Sequence, residues 1–110
     1  MENVNDIAGR LHTDKWISNN GVLLRAINIG RTNYNKLSAL RRALDREMDI
    51  GEFADGVNYL AEAGYINLRT VGSHQAASLA DNDIDNLEAK LSADGIRLLA
   101  GKLSDDCVRA

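Results

Sequence analysis

Apolar positions along this chain recur at two periods, and the change between them divides it. Val4, Ile7, Ala8 and Leu11 fall at i, i+3, i+4 and i+7, which predicts a first helix over 3–11 with one apolar stripe. Trp16 and Ile17 follow in a short connector. Ser18-Asn19-Asn20-Gly21 then reads as a helix start, because short polar side chains satisfy free N–H groups there. The spacing predicts a second helix over 21–29 that buries Leu23, Ala26 and Ile27, with Gly30 as its stop. Thr32 to Asn35 is a polar stretch that fits a loop or a very short strand. Leu37, Leu40, Leu44 and Met48 line one face of a further helix, with Arg41, Arg42 and Arg46 pointing elsewhere.

Asp49-Ile50-Gly51-Glu52 has the D-x-x-E form of a capping box. The helix it opens is expected to bury Phe53, Val57, Leu60 and Ala61 and to stop at Gly64, which can take a left-handed conformation. After Gly64 the period becomes 2. Ile66, Leu68 and Thr70 alternate with Asn67, Arg69 and Val71, the pattern of a half-buried strand. Residues 72–83 form a polar connector with a small apolar island at 76–80. Leu87, Ala89 and Leu91 alternate with Glu88 and Lys90 in a second strand. Ser92 caps a last short helix with Ile96, Leu99 and Leu103 on its buried side. The polar tail beyond is expected to fray.

The 110 residues fit one domain. At 45% apolar and 26% charged the chain has a globular composition and is not a disordered one. No apolar run approaches the roughly 20 residues that span a bilayer. The first ten residues include Glu2 and Asp6 and lack the form of a signal peptide. A cytoplasmic protein with no membrane association is expected. The lone Cys107 excludes an internal disulfide and a CxxC zinc site.

Charge is uneven. Residues 1–48 hold eight basic side chains against five acids, and residues 49–110 hold five against eleven. Such asymmetry is the mark of an anion-binding face or of an ordinarily solvated surface. Within 31–46 there are five basic residues and one acid; within 49–64 there are four acids and no Lys or Arg.

The order helix, helix, capped helix, strand, connector, strand is that of a winged helix. Leu60-Ala61-Glu62-Ala63-Gly64-Tyr65-Ile66 resembles the L-x-x-x-G-hydrophobic-hydrophobic junction between the third helix and the first wing strand of bacterial winged-helix regulators. Leu91-Ser92-Ala93-Asp94-Gly95-Ile96 resembles the L-T-x-x-G-hydrophobic step from the second wing strand to the terminal helix. The likeness covers about 21–102 and extends to small winged-helix proteins of Mu-like phages and prophages. It implies an α+β winged helix-turn-helix: a three-helix core, a two- or three-stranded wing and flanking terminal helices. The expected division is an N-terminal helix and connector over 1–17, the winged-helix domain over 18–103 and a polar tail over 104–110.

The resemblance implies double-stranded DNA as partner and a regulatory role, with the third helix in the major groove. The residues depart from that pattern where it matters, because the third helix would meet phosphate against repulsion. Asp81, Asp83 and Asp85 crowd the presumed wing. The expected phosphate contacts are therefore Arg31, Lys36, Arg41, Arg42, Arg46 and Arg69, with Asn58 as the base-reading candidate. A second reading uses the same fold as a protein-interaction module, its acidic third helix and wing meeting a basic partner.

No enzyme, cofactor or metal is expected. His12 and His74 stand alone, and neither has a metal-ligand spacing with Cys107. Asp81, Asp83 and Asp85 resemble a calcium loop without its glycine and terminal glutamate. A phosphate-binding GxxxxGKS is absent. Tyr59 fits either a base contact or the core, and Tyr65 fits a structural role. Trp16 either packs on its own domain or helps to bury a dimer interface. The stripe from Val4 to Leu11 either covers its own domain or pairs with another chain, and the dimeric habit of regulators with this fold favours a homodimer.

Overall fold

The computed structural model describes residues 4–110, with side chains from residue 6 onward. The expected start at Asn3, the acid Glu2 and the side chain of Val4 lie outside the described residues. The chain is α+β. Among the described residues there are helices α1 (Val4–Ile29), α2 (Leu37–Ala43), α3 (Ile50–Glu62) and α4 (Ala93–Leu99), and strands β1 (Asn35–Lys36), β2 (Ile66–Thr70) and β3 (Leu87–Leu91).

The first correction concerns Ser18-Asn19-Asn20-Gly21. These residues start no helix; they lie inside one continuous helix of 26 residues. Their polar groups have another use, because the C-terminal tail lies along this stretch. Asn20 Nδ2 donates to the Cys107 carbonyl at 2.9 Å, and Arg109 Nη1 donates to Ser18 Oγ at 2.7 Å. The Arg109 amide donates to the Ile17 carbonyl at 3.2 Å. Gly21 allows the close approach: a Cβ there would stand 1.9 Å from the Arg109 carbonyl oxygen.

The tail therefore does not fray. Val108 is buried, and Asp105 accepts hydrogen bonds from the Tyr59 and Tyr65 hydroxyls, each at 2.7 Å. Its other oxygen accepts from the Cys107 amide at 2.8 Å.

The last helix is also shorter than its apolar spacing suggests. Gly101 takes a left-handed φ of 75° and closes α4, so Leu103 falls outside the helix and is exposed. Leu98 is the buried side chain, with Ile96 and Leu99 half-buried against the core. Likewise α2 ends at Ala43 and a turn carries the chain to Met48, which is buried.

The local signals around α3 match its form. Glu52 N–H donates to Asp49 Oδ1 and Asp49 N–H donates to Glu52 Oε1, closing the capping box. Gly64 ends the helix at φ 84°, with the Tyr65 amide bonded to the Leu60 carbonyl and the Gly64 amide to the Ala61 carbonyl.

The sheet order is β1-β3-β2, antiparallel throughout, with Arg69 opposite Glu88 and Lys36 opposite Glu88 on the other side. Residues after β2 turn back along its free edge, where Arg69 bridges Ala76. A 3₁₀ turn at Ile84–Asn86 leads into β3. The core sits between α1, α3 and the sheet: Leu23, Leu24, Ile27, Val57, Leu60 and Leu87 are all fully buried. Burial of such side chains is worth about 1.5–3 kcal/mol each. No helix among the described residues is long and apolar enough to cross a membrane.

Candidate functional site

The basic stretch is displayed by a short helix with one anchored side. Leu37 is buried and Leu40 half-buried, which fixes the rotation of α2 and leaves Arg41 and Arg42 exposed. Arg46 is exposed in the following turn, and Lys36 is exposed on the short strand β1. Among the described residues no carboxylate forms an ion pair with any of these four cations. Arg31 lies in the turn after α1, where its Nε donates to Asn28 Oδ1 at 2.7 Å, a neutral partner.

Arg41 and Asn58 meet across a groove between α2, α3 and residues 79–85. The groove holds about 740 Å³, and its apolar lining includes Ala54, Leu79 and Ile84. Its charges are those of Arg41 against Asp55, Asp83 and Asp85. Asn58 is exposed beside this acidic wall, where a polyanion would be repelled.

Arg69 stands apart from that cluster. Its Nε donates to Glu88 Oε1 at 2.7 Å, and its guanidinium carbon lies 3.6 Å from the centroid of the Tyr34 ring. Glu88 is 7% exposed and the Arg69 side chain 27%, so the pair is partly buried. His74 Nε2 lies 3.8 Å from the same carboxylate oxygen, from a left-handed backbone at φ 58°. Arg69 thus has a structural load that a phosphate contact would have to displace.

The acids of α3 divide in the same way. Glu52 caps the helix and pairs with Lys15 Nζ at 2.5 Å. Lys15, and then the Asp49 amide, hold the Glu52 carboxyl below its ordinary range. Asp55 and Glu62 remain exposed.

Trp16 packs on its own domain, edge-on to Tyr59 with ring centroids 5.0 Å apart. Sequence reasoning missed the cluster that Tyr59 shares with Tyr65 and Asp105. Burial pushes the Asp105 carboxyl upward, but hydrogen bonds from Tyr65, Tyr59 and the Cys107 amide outweigh it and hold the group low. The Asp105 hydrogen bond, helped by burial, pushes the Tyr65 hydroxyl up to about 12. Burial, then Asp105, raises Tyr59 as well. No local signal announces this cluster, because Asp105 lies 46 and 40 residues from Tyr59 and Tyr65 in the chain.

The chain matches no family model, no curated protein and no solved structure. Its chemistry is therefore read from its own surface. Among the described residues no three His, Cys, Asp or Glu side chains converge as a metal site would require. The surface offers two contrasting features: unpaired cations around α2, and an acidic groove beside α3.

Proposed function

We propose that this chain is a non-enzymatic winged-helix protein that binds double-stranded DNA as a regulator, with α2 rather than α3 holding the phosphates. The observation that carries the reading is the set of four exposed cations, Lys36, Arg41, Arg42 and Arg46, with no carboxylate partner among the described residues. Side chains already neutralised would gain little from phosphate; these release counterions when they bind. The element order supports the winged-helix part of the reading: helices α1 to α3 precede a hairpin-like pair β2–β3, with β1 added on the far edge. The short turn between α2 and α3 is in keeping with a helix-turn-helix. Arg31 extends the basic surface, while Asn58 is left as a base contact that needs the duplex close to Asp55.

The test is a titration of random-sequence duplex at several salt concentrations. Binding that weakens steeply with salt supports the reading; no binding at low salt overturns it. One observation favours the second reading, a protein-interaction module. The groove wall of Asp55, Asp83 and Asp85 suits a basic segment of a protein partner better than it suits DNA.

A further inference from the structure

The N-terminal arm of α1 has an apolar side that its own domain does not use. Ile7 is 48% exposed and Leu11 65% exposed, with Ala8 exposed between them. In a continuous helix each residue turns about 100°. The Ile7–Leu11 stripe then points roughly 160° away from Leu23, Leu24 and Ile27, which face the core. Because no break occurs at residues 18–21, the arm cannot fold back to cover its stripe.

The same side of α1 re-emerges as an apolar groove near its C-terminal end. Ala26 and Ile29 of α1 face Ala39, Leu40 and Ala43 of α2 across a groove of about 480 Å³, and Ile29 is 90% exposed. We infer that two copies of this chain exchange arms, the Ile7–Leu11 stripe of each lying in the Ala26–Ile29 groove of the other.

Three features favour a second copy as the occupant. The helix is self-matching: in an antiparallel pair crossing between positions 16 and 17, Ile7 comes opposite the partner's Ala26. Leu11 then comes opposite the partner's half-buried Val22, one turn before the groove, and both contacts are apolar. The charges match too. Residues 1–14 carry three acids and one base by sequence, whereas residues 25–46 carry six bases and one acid. Finally, a stable interface takes about 800 Å² from each partner. Three apolar side chains of one arm supply less than that, and a reciprocal exchange makes the contact twice, with the wall of α2 added.

Arg41 and Arg42 do not line this groove, so the exchange leaves them exposed. Lys36 does line it, so the exchange takes one of the four cations and leaves Arg41, Arg42 and Arg46 to phosphate.

The full chain at micromolar concentration should scatter light as twice its 12.0 kDa mass. Leu11→Glu and Ile29→Glu alter exposed side chains, so each should keep the wild-type circular dichroism and weaken self-association at least tenfold. In a Cys107→Ser background, oxidation of an equal mixture of Ile7→Cys and Ala26→Cys chains should give a covalent heterodimer. A monomeric wild type overturns the inference. So does a dimer that Ile29→Glu leaves intact, or one in which Ile7→Cys cross-links to itself in preference to Ala26→Cys.

Discussion

Replacing Arg69 with Met would leave Glu88, only 7% exposed, without its 2.7 Å guanidinium partner. A buried carboxylate that loses its main donor costs about 1–3 kcal/mol. The Arg69→Met midpoint in chemical denaturation should fall accordingly, while the salt dependence of any DNA binding stays as in the wild type. An unshifted midpoint would show that the pair carries no load. Asp105 gives a second residue-scale expectation, with a sign on each side of neutrality. Its folded pKa lies below the ordinary 3.8, so its stabilisation is complete above that value and is lost as pH falls through the folded pKa. Tyr65 is raised from 10.0 to about 12, so its contribution is complete below 10.0 and is lost as pH rises through about 12. Asp105→Asn should flatten both arms of the pH–stability curve measured by denaturant midpoints. Equal acid-side slopes in variant and wild type would remove Asp105 from the account. Neither partnership was legible in the sequence. Arg69 and Glu88 meet through strand register, and Asp105 meets its tyrosines through the path of the tail.

The two glycines of α1 separate local helix preference from tertiary contact. In a helix interior Ala is better than Gly by about 0.8–1 kcal/mol. Gly9 has nothing within 4 Å of where a Cβ would stand, so Gly9→Ala should raise the unfolding free energy by about that amount and move the midpoint upward. At Gly21 such a Cβ would collide with the Arg109 carbonyl oxygen, which is backbone, so relief requires the tail itself to shift. Gly21→Ala should therefore lower the midpoint and make the tail susceptible to limited proteolysis. If both substitutions stabilise, the tail does not dock on α1. The contrast also explains which elements were legible. The start and stop of α3 are written in residues that bond to one another locally, Asp49 with Glu52 and Gly64 with its own last turn. Strands β2 and β3 are legible from alternation, with Leu87, Ala89 and Leu91 on the core side of β3; that Glu88 between them is buried too was not legible, because Arg69 reaches it from β2. Ser18 and Asn20 also look like cap residues, yet their partners lie at Arg109 and Cys107. A local reading gives them the wrong neighbours and breaks α1 where the tail holds it.

At the scale of the whole molecule, the arm of α1 extends a body whose extents are 53 × 31 × 23 Å, and the exposed cations gather around α2. Their exposure was legible, since Leu37 and Leu40 fix the phase of the helix. The acid wall opposite Arg41 was not, because residues 79–85 reach it from a connector without periodicity. In the proposed winged-helix reading, affinity comes from Lys36, Arg41, Arg42 and Arg46 together. Each Lys or Arg on a phosphate contributes about one unit to the slope of log affinity against log salt. Arg41→Ala with Arg42→Ala should therefore reduce that slope by up to about two, on every duplex alike. Reversal of both to Glu should weaken binding further, because two attractions become repulsions. Asn58→Ala carries no charge, so it should shift preference among sequences and leave the slope unchanged. A double Arg replacement that leaves the slope unaltered would mean that DNA, if bound, touches another face. Failure of the wild type to bind any duplex at low salt would hand the surface to the groove of Asp55, Asp83 and Asp85. Binding of a basic peptide that is lost on Asp55→Asn with Asp83→Asn would then support the protein-interaction module.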